Sequence, residues 1–435
     1  MKKSTFLLSL LLAAGSTSVM AEGYQVNTLS AKQSGMGHVG TGMKLGAESM
    51  HFNPAGLAFM DKTLDISAGI TGVWGEARYS HDGYNAHTNN SASTPLYGYA
   101  GFKIYDFLAA GISLTTPYGN SNKWPDNWKG ADLVQEISLK SFSLQPTLAW
   151  KITDNFSIGA GLMIMWGDVN ISRSLLPMGA LSAIAPQYND VVLASASLHG
   201  ESSTRVGFNV GAMYDINNEW TIGASYRSKV TAKVTHGKAK MEYANEEIKQ
   251  LLQKLPTFPQ LDKGTFAAEL PLPANLTVGG SYNPENSNWL FSADVQWTFW
   301  SAYKELNVVF TEVFLDPYSI QADKNYKNSF AFRFGSQYAL TDRCDLRCGA
   351  YFDMSPVKDN FYNPETPSMN KLGLTLGGSF RPLKHFSIDA SVIYLQGFSR
   401  DGSYEFVDGL KQPQKFEGHY KSAAFCASIG ASYFF

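Results

Sequence analysis

Charge is scarce in this chain. Charged residues make up 17% of its 435 residues, the formal net charge is -2, and no basic block stands out. A nucleic-acid partner is therefore not expected. Cysteine is scarce too, with only Cys344, Cys348 and Cys426. An odd count makes a poor disulfide framework. Cys344 and Cys348 would lie roughly 13 Å apart in a strand, too far to bridge. No histidine stands near them to complete a metal pair, so they read as packing residues. Long apolar runs are missing after the first twenty residues, which rules out a spanning helix and leaves a barrel as the only membrane architecture. Catalytic signatures are missing as well. There is no G-x-S-x-G elbow and no H-E-x-x-H helix, and the eight histidines are scattered. The chain reads as no enzyme, with no cofactor and no metal.

What is present begins with a secretion signal. Met1-Lys2-Lys3 is a positive start, Phe6 to Ala14 a short apolar core, and Val19-Met20-Ala21 a small-residue cleavage site. Cleavage is expected after Ala21, and no cysteine lies near the cut to carry a lipid anchor. Residues 22–61 follow as a distinct segment. Gly23 to Met60 holds seven glycines and shows no sustained period. It cannot build a core of its own, and glycines 35, 37, 40 and 42 suggest tight turns and close backbone approach. The segment is expected to be a plug, and residues 62–435 the wall around it.

The wall shows in the alternation. Phe425, Ala427, Ile429, Ala431, Tyr433 and Phe435 share one face of the last strand, with small residues on the other. Phe156, Ile158, Ala160, Leu162, Ile164 and Trp166 repeat the pattern. Their strand is roughly 33 Å long and, tilted by about 40°, covers roughly 25 Å of membrane normal. Six turn-like connections alternate with seven long ones, which predicts an all-β, 14-stranded antiparallel transmembrane barrel with both ends on the periplasmic side. A bacterial outer-membrane location follows. The terminal aromatic Phe435 suits the end that barrel-assembly machinery reads, and a monomer is expected.

Some stretches break the pattern. Between Val134 and Trp150 the apolar phase slips near Lys140-Ser141, which predicts a bulge. Ala109-Ala110-Gly111 is a weak place in the wall, open to two readings, a bend or a gap. Two long loops are apolar. One carries Leu176, Leu181 and Ile184. The other predicts an amphipathic helix from Glu246 to Leu255, with Ile248, Leu251 and Leu252 on its apolar side. Either the loops bury each other or they form a binding groove. Arg227, Arg333, Arg347 and Asp353 lie on the inward phase of their strands, where a basic group could meet a carboxylate or a structural ion pair.

Taken in order, several motifs resemble those of the FadL-type outer-membrane transporters, which take up long-chain fatty acids and other hydrophobic compounds. Gly23-Tyr24-Gln25-Val26-Asn27 resembles the family's mature start, and Asn53-Pro54-Ala55-Gly56-Leu57 its NPA plug motif. Thr116-Pro117-Tyr118-Gly119 is similar to its Pro-Phe-Gly segment, with Tyr118 departing from Phe. Leu346-Arg347-Cys348-Gly349 and Asp353-Met354-Ser355-Pro356-Val357 resemble its Arg-x-Gly and Asp-x-Ser-Pro-Val segments. The resemblance implies an N-terminal hatch inside the barrel, a first groove between two outer loops, and a tighter lumen pocket beside the hatch. It also implies a side window at a kink in the third strand, which points to Ala109, Ala110 and Gly111 for release into outer-membrane lipid. A general porin and an outer-membrane lipase stay as alternatives. The mature chain should begin at Glu22. N-terminal sequencing should return Glu-Gly-Tyr-Gln, and an intact Met1 would overturn both signal and location.

Overall fold

The computed structural model describes residues 23–183, 186–254, 258, 262–312, 315 and 319–435. The signal segment, the expected start at Glu22, and Ile184 lie outside the described residues.

Fourteen antiparallel strands form one closed wall. They are β1 (Leu64–His81), β2 (Tyr84–His87 with Leu96–Tyr105), β3 (Leu108–Thr115 with Gly119–Lys123), β4 (Glu136–Lys151) and β5 (Phe156–Ser174). Next come β6 (Ala194–Asp215), β7 (Trp220–Arg227 with Val230–Tyr243), β8 (Lys263–Leu272 with Asn275–Tyr282) and β9 (Trp289–Thr298 with Glu305–Phe310). The circuit ends with β10 (Ile320–Asp323 with Ser329–Thr341), β11 (Cys344–Asp353), β12 (Lys371–Leu383), β13 (Phe386–Gly397 with Arg400–Val407) and β14 (Pro413–Phe434). The ring closes where β1 pairs β14 from Asp65↔Phe434 to Ser80↔His419. Closure leaves no free edge, the condition for a sheet in a medium without water.

The alternation works as the sequence suggests. Ile158, Leu162, Trp166, Phe425, Ile429 and Tyr433 are exposed, whereas Met163, Met165, Cys426, Ser428 and Ser432 are buried. So large an apolar outer belt is tolerable only against lipid. Aromatic pairs border it. Trp220–Tyr282 and Trp289–Tyr338 lie near the short turns, with Phe142–Trp166 and Trp297–Phe330 at the opposite rim. Beyond that outer rim many strands continue, so parts of the expected loops are hairpin extensions of the wall. Arg400–Val407, for instance, pairs with Pro413–Tyr420.

One expectation about the wall is corrected. The β4–β5 register is continuous from Glu136↔Ser172 to Lys151↔Ser157, so no bulge divides β4 at Lys140. Leu139, Ser141, Ser143, Gln145 and Thr147 all point inward. What changes along β4 is the chemistry of the interior, polar below and apolar above. The neighbouring strands take up the irregularity, between Met165 and Gly167 and in β3.

Residues 23–60 occupy the interior and carry short helical turns at Ala31–Ser34, Ser49–Phe52 and Pro54–Phe59. Wall glycines make room for them. A Cβ at Gly159 would stand 2.4 Å from the Pro54 backbone, and one at Gly211 would stand 2.0 Å from Asn53 Oδ1. The cysteines are free, and Cys426 is buried.

Candidate functional site: the hatch and the cavity above it

Asn53 starts the last hatch turn. Its Oδ1 accepts from Ala55 N–H at 3.1 Å, and Pro54 fills the first position, where a missing N–H costs nothing. The same side chain ties the hatch to itself and to the wall. Nδ2 donates to the carbonyl of Thr41 at 2.8 Å and to that of Ala212 on β6 at 3.0 Å. Ser157 Oγ donates to the Ala55 carbonyl at 3.0 Å. A residue that the sequence reading missed holds the other end of this loop. Asp294 of β9, buried, accepts from Gly40 N–H, Thr41 N–H and Thr41 Oγ1 at 2.8, 3.0 and 3.0 Å.

The lumen charges serve the same scaffold. Arg227 donates to the His51 carbonyl at 3.1 Å, Arg333 to Gln296 Oε1 at 2.8 Å, and Arg347 to Gln337 Oε1 at 2.7 Å. Asp353 accepts from Asn27 Nδ2 at 3.4 Å. None of these four side chains lines the apolar cavity described below, and of the two readings left open for them their bonds favour the structural one.

The hatch start meets two irregular places in the wall. Val26 N–H donates to the Pro117 carbonyl and Gly119 N–H to the Tyr24 carbonyl, both at 2.9 Å. The hatch thus acts as a local strand partner where β3 bends inward. Gly23 has φ 62°, and a Cβ there would stand 2.5 Å from the Trp300 ring, so glycine is required. Tyr24 packs edge-on to Trp300 and Tyr303 and bonds to the Pro271 carbonyl on β8.

The interruption in β3 is therefore at Thr116–Tyr118. Ala109, Ala110 and Gly111 are paired on both sides, with Lys103, Phe102 and Gly101 of β2 and with Ala149, Leu148 and Thr147 of β4. The gap reading for these three residues is corrected. Small side chains leave the ladder intact, whereas Pro117 has no N–H to give to it.

Above Tyr24 lies an apolar cavity, part of it open to the outside. Ile137, Leu139, Met165, Ile171, Phe266 and Val308 line it, with Tyr24 below and Glu365 and Thr366 of the 354–370 loop at one side. The apolar phase slip in β4 was the sequence signal for it. Ile137 and Leu139 are inward residues of a wall that is polar lower down. Directly above, Arg173, Leu175, Leu198, Phe310 and Ile320 line a smaller cavity.

The outer loops close on one another. Leu176, Ile248 and Leu252 are buried in a single apolar cluster, Leu181 packs against it, and Leu251 is half-buried. The predicted helix runs from Glu246 to Gln253, capped by Asn245, whose Oδ1 accepts from Ile248 N–H at 2.8 Å. The expected open groove is filled by its own side chains in this structure.

A closed barrel with an apolar belt, filled inside by its own N-terminal segment below an apolar cavity, defines a plugged outer-membrane transporter architecture. The chain belongs to the outer membrane protein transport protein family (OMPP1/FadL/TodX), whose model matches residues 12–435, and it is an outer-membrane protein. It is 24% identical over 425 residues to the long-chain fatty acid transport protein of Escherichia coli K12, covering 92% of this chain and 94% of that one. A Pseudomonas aeruginosa FadL homologue shares the fold with a TM-score of 0.80 at 22% identity, over 95% of this chain and all of that one. The Pseudomonas putida toluene transporter TodX does so with a TM-score of 0.70 at 18% identity, over 96% and 99%.

Two predictions follow from the hatch geometry. Asn53→Ala removes bonds to two buried carbonyls, each worth about 0.5–1.5 kcal/mol. Amide exchange over residues 35–60 should quicken while the barrel keeps its shift on boiling. Unchanged exchange would show that Asn53 holds nothing.

The second concerns pH. His38 is buried, its ring 6.1 Å from that of His51. Burial holds both well below the ordinary histidine value, with Arg333 adding to the effect at His38 and Arg227 at His51. A depressed folded value means the unfolded segment binds protons first. Hatch stability is therefore full above about pH 6.5 and falls as the pH drops below it. Corrected for the intrinsic exchange rate at each pH, exchange over residues 35–60 should rise as the pH falls from 7 to 5, and His51→Asn should weaken the rise. A flat wild-type profile would refute the assignment.

Proposed function

We propose that this protein carries long-chain fatty acids or similar hydrophobic molecules across the outer membrane by facilitated uptake. The single observation that carries the reading is the apolar cavity enclosed by a membrane wall, with the hatch as its floor. The relatives' names, a fatty acid transport protein and a toluene transporter, support it. A general porin needs an open aqueous lumen, and the bonded hatch speaks against one. The family comprises transport proteins, in keeping with a non-enzymatic role.

The steps follow from the geometry. The clustered loops carrying Leu176, Leu181, Ile248, Leu251 and Leu252 part to take up an apolar solute. It passes the small cavity, where the Arg173 guanidinium can meet a carboxylate, and settles above Tyr24. Release into water would cost about 0.8 kcal/mol per CH₂, roughly 12 kcal/mol for sixteen carbons, too much for a fast aqueous exit. Sideways release into lipid avoids that cost, and the bend at Thr116–Tyr118 is the place for it. We also infer that the protein is a monomer, that residues 1–21 are removed on export, and that assembly machinery reads the strand ending at Phe435.

Leu139→Glu puts a charge into the cavity and should weaken palmitate binding in detergent at least tenfold, with a matching loss of uptake by cells at low concentration. Unchanged binding and uptake would refute the cavity as the site. Toluene uptake without palmitate uptake would replace the fatty acid reading by an aromatic-hydrocarbon one.

A further inference from the structure

The wall has a second discontinuity, far from the bend in β3. Strands β8 and β9 pair at Phe266–Ala268 with Val308–Phe310, and again from Asn275↔Thr298 downward. Between those ladders the registers differ by three residues. Glu269 to Ala274 and Phe299 to Asn307 do not form a ladder with each other; the single backbone bond there is Phe299 N–H to the Ala274 carbonyl. The extra length of β9 is taken up in the Trp300–Ala302 turn.

In an intact strand successive side chains face opposite sides. Here the outer surface carries a groove lined by Lys229, Thr231, Lys304 and Asn307. Val234, Ala268 and Glu269 line both this groove and the apolar lumen cavity. The ladder holds through Val234, Ala268 and Val308; the breach is the stretch just beyond, Glu269 to Pro273, which has no ladder partner on β9. On the lumen side the breach is lined by Leu270, Leu272 and Leu306. On the outer side stand Lys229, Lys233 and Lys304, with Glu269 paired to Lys233 at 2.8 Å. The groove lies just beyond Trp297 and Phe330, the outer aromatic pair on β9 and β10. Such rims mark the membrane–water interface, so the lysines stand at the height of lipid head groups.

We propose that this breach is an entry portal for single-chain anionic amphiphiles resident in the outer leaflet. The apolar tail inserts between β8 and β9 into the lumen cavity, while the head group pairs with Lys229, Lys233 and Lys304 and displaces Glu269. The charge at the mouth and the leucines behind it match an amphiphile's two ends. The hatch reads the same place. Tyr24 bonds to the Pro271 carbonyl, and Tyr118 from the β3 bend donates to the Pro273 carbonyl at 3.3 Å. The two wall irregularities are thereby joined across the lumen. This portal rests on the transport reading and adds a route from the bilayer to it.

The test uses the mature full-length protein in phosphatidylcholine vesicles preloaded with palmitate bearing a mid-chain diazirine. On irradiation, label should appear on residues 268–272 or 304–308. Lys229→Gln, Lys233→Gln and Lys304→Gln together should reduce that label at least threefold, as should Ala302→Trp alone, which fills the groove from outside, with the boiling shift of each variant retained. Binding of the same probe delivered from albumin to the detergent-solubilised variants should stay within twofold of wild type. Label confined to β2 and β3, or unaltered in both variants, would overturn the portal. Failure of the wild type to bind the probe even in detergent would instead overturn the transport reading on which the portal rests.

Discussion

A backbone amide in hydrocarbon has no water to bond to, and this constraint governs the whole molecule. The fourteen strands answer it by closing on themselves from Leu64 to Phe435, whose backbone groups exchange bonds at 3.0 and 2.8 Å. The instructive places are those where the ladder fails. At Pro117 and Gly119 the missing partners are supplied by Tyr24 and Val26 of the hatch. At β8 the Pro271 and Pro273 carbonyls receive the hydroxyls of Tyr24 and Tyr118. Both irregularities lean on the first residues of the plug. Tyr24 bonds in both places, to the Gly119 N–H and to the Pro271 carbonyl, so one hatch residue joins them.

The interior is divided by height. Near the short turns the wall faces inward with serine, threonine, asparagine and aspartate, and these bind the backbone of a segment too rich in glycine to form its own core. Asn53, Asp294 and Ser157 each bond to hatch backbone, and glycines 159 and 211 let it approach the sheet closely. Above the outer aromatic rim the polarity inverts. Thr231, Lys233 and Asn307 face out while Val234, Phe266 and Val308 face in. Beyond the hydrocarbon, at the height of the head groups, the wall follows the rule of a soluble protein, apolar inside, and the cavity forms at that crossover.

Much of this was legible in the sequence. The period of two, the length of Phe156 to Trp166 and the alternation of short and long connections determine a fourteen-stranded barrel, because each strand must present an apolar face to lipid at fixed spacing. The glycine-rich start determines a plug, since nothing in it could fold alone. Asn53-Pro54 marks its own turn, because an N-cap followed by proline is a local instruction. The slip at Lys140 also held real information, although as a change of environment and not of register.

What the tertiary structure alone decided is which residues meet. Arg227, Arg333, Arg347 and Asp353 point inward as their phase requires, yet whether they face a ligand or the hatch depends on height along the barrel, which periodicity does not encode. Ala109 to Gly111 looked weak by residue type, but a ladder is built from backbone, and the interruption fell where Pro117 lacks an amide. The interruption between β8 and β9 has a local mark in Pro271 and Pro273, which cannot donate to a ladder, but its extent does not follow from them. It arises from a three-residue difference in register between two distant pairings, and a register exists only once both strands are in place.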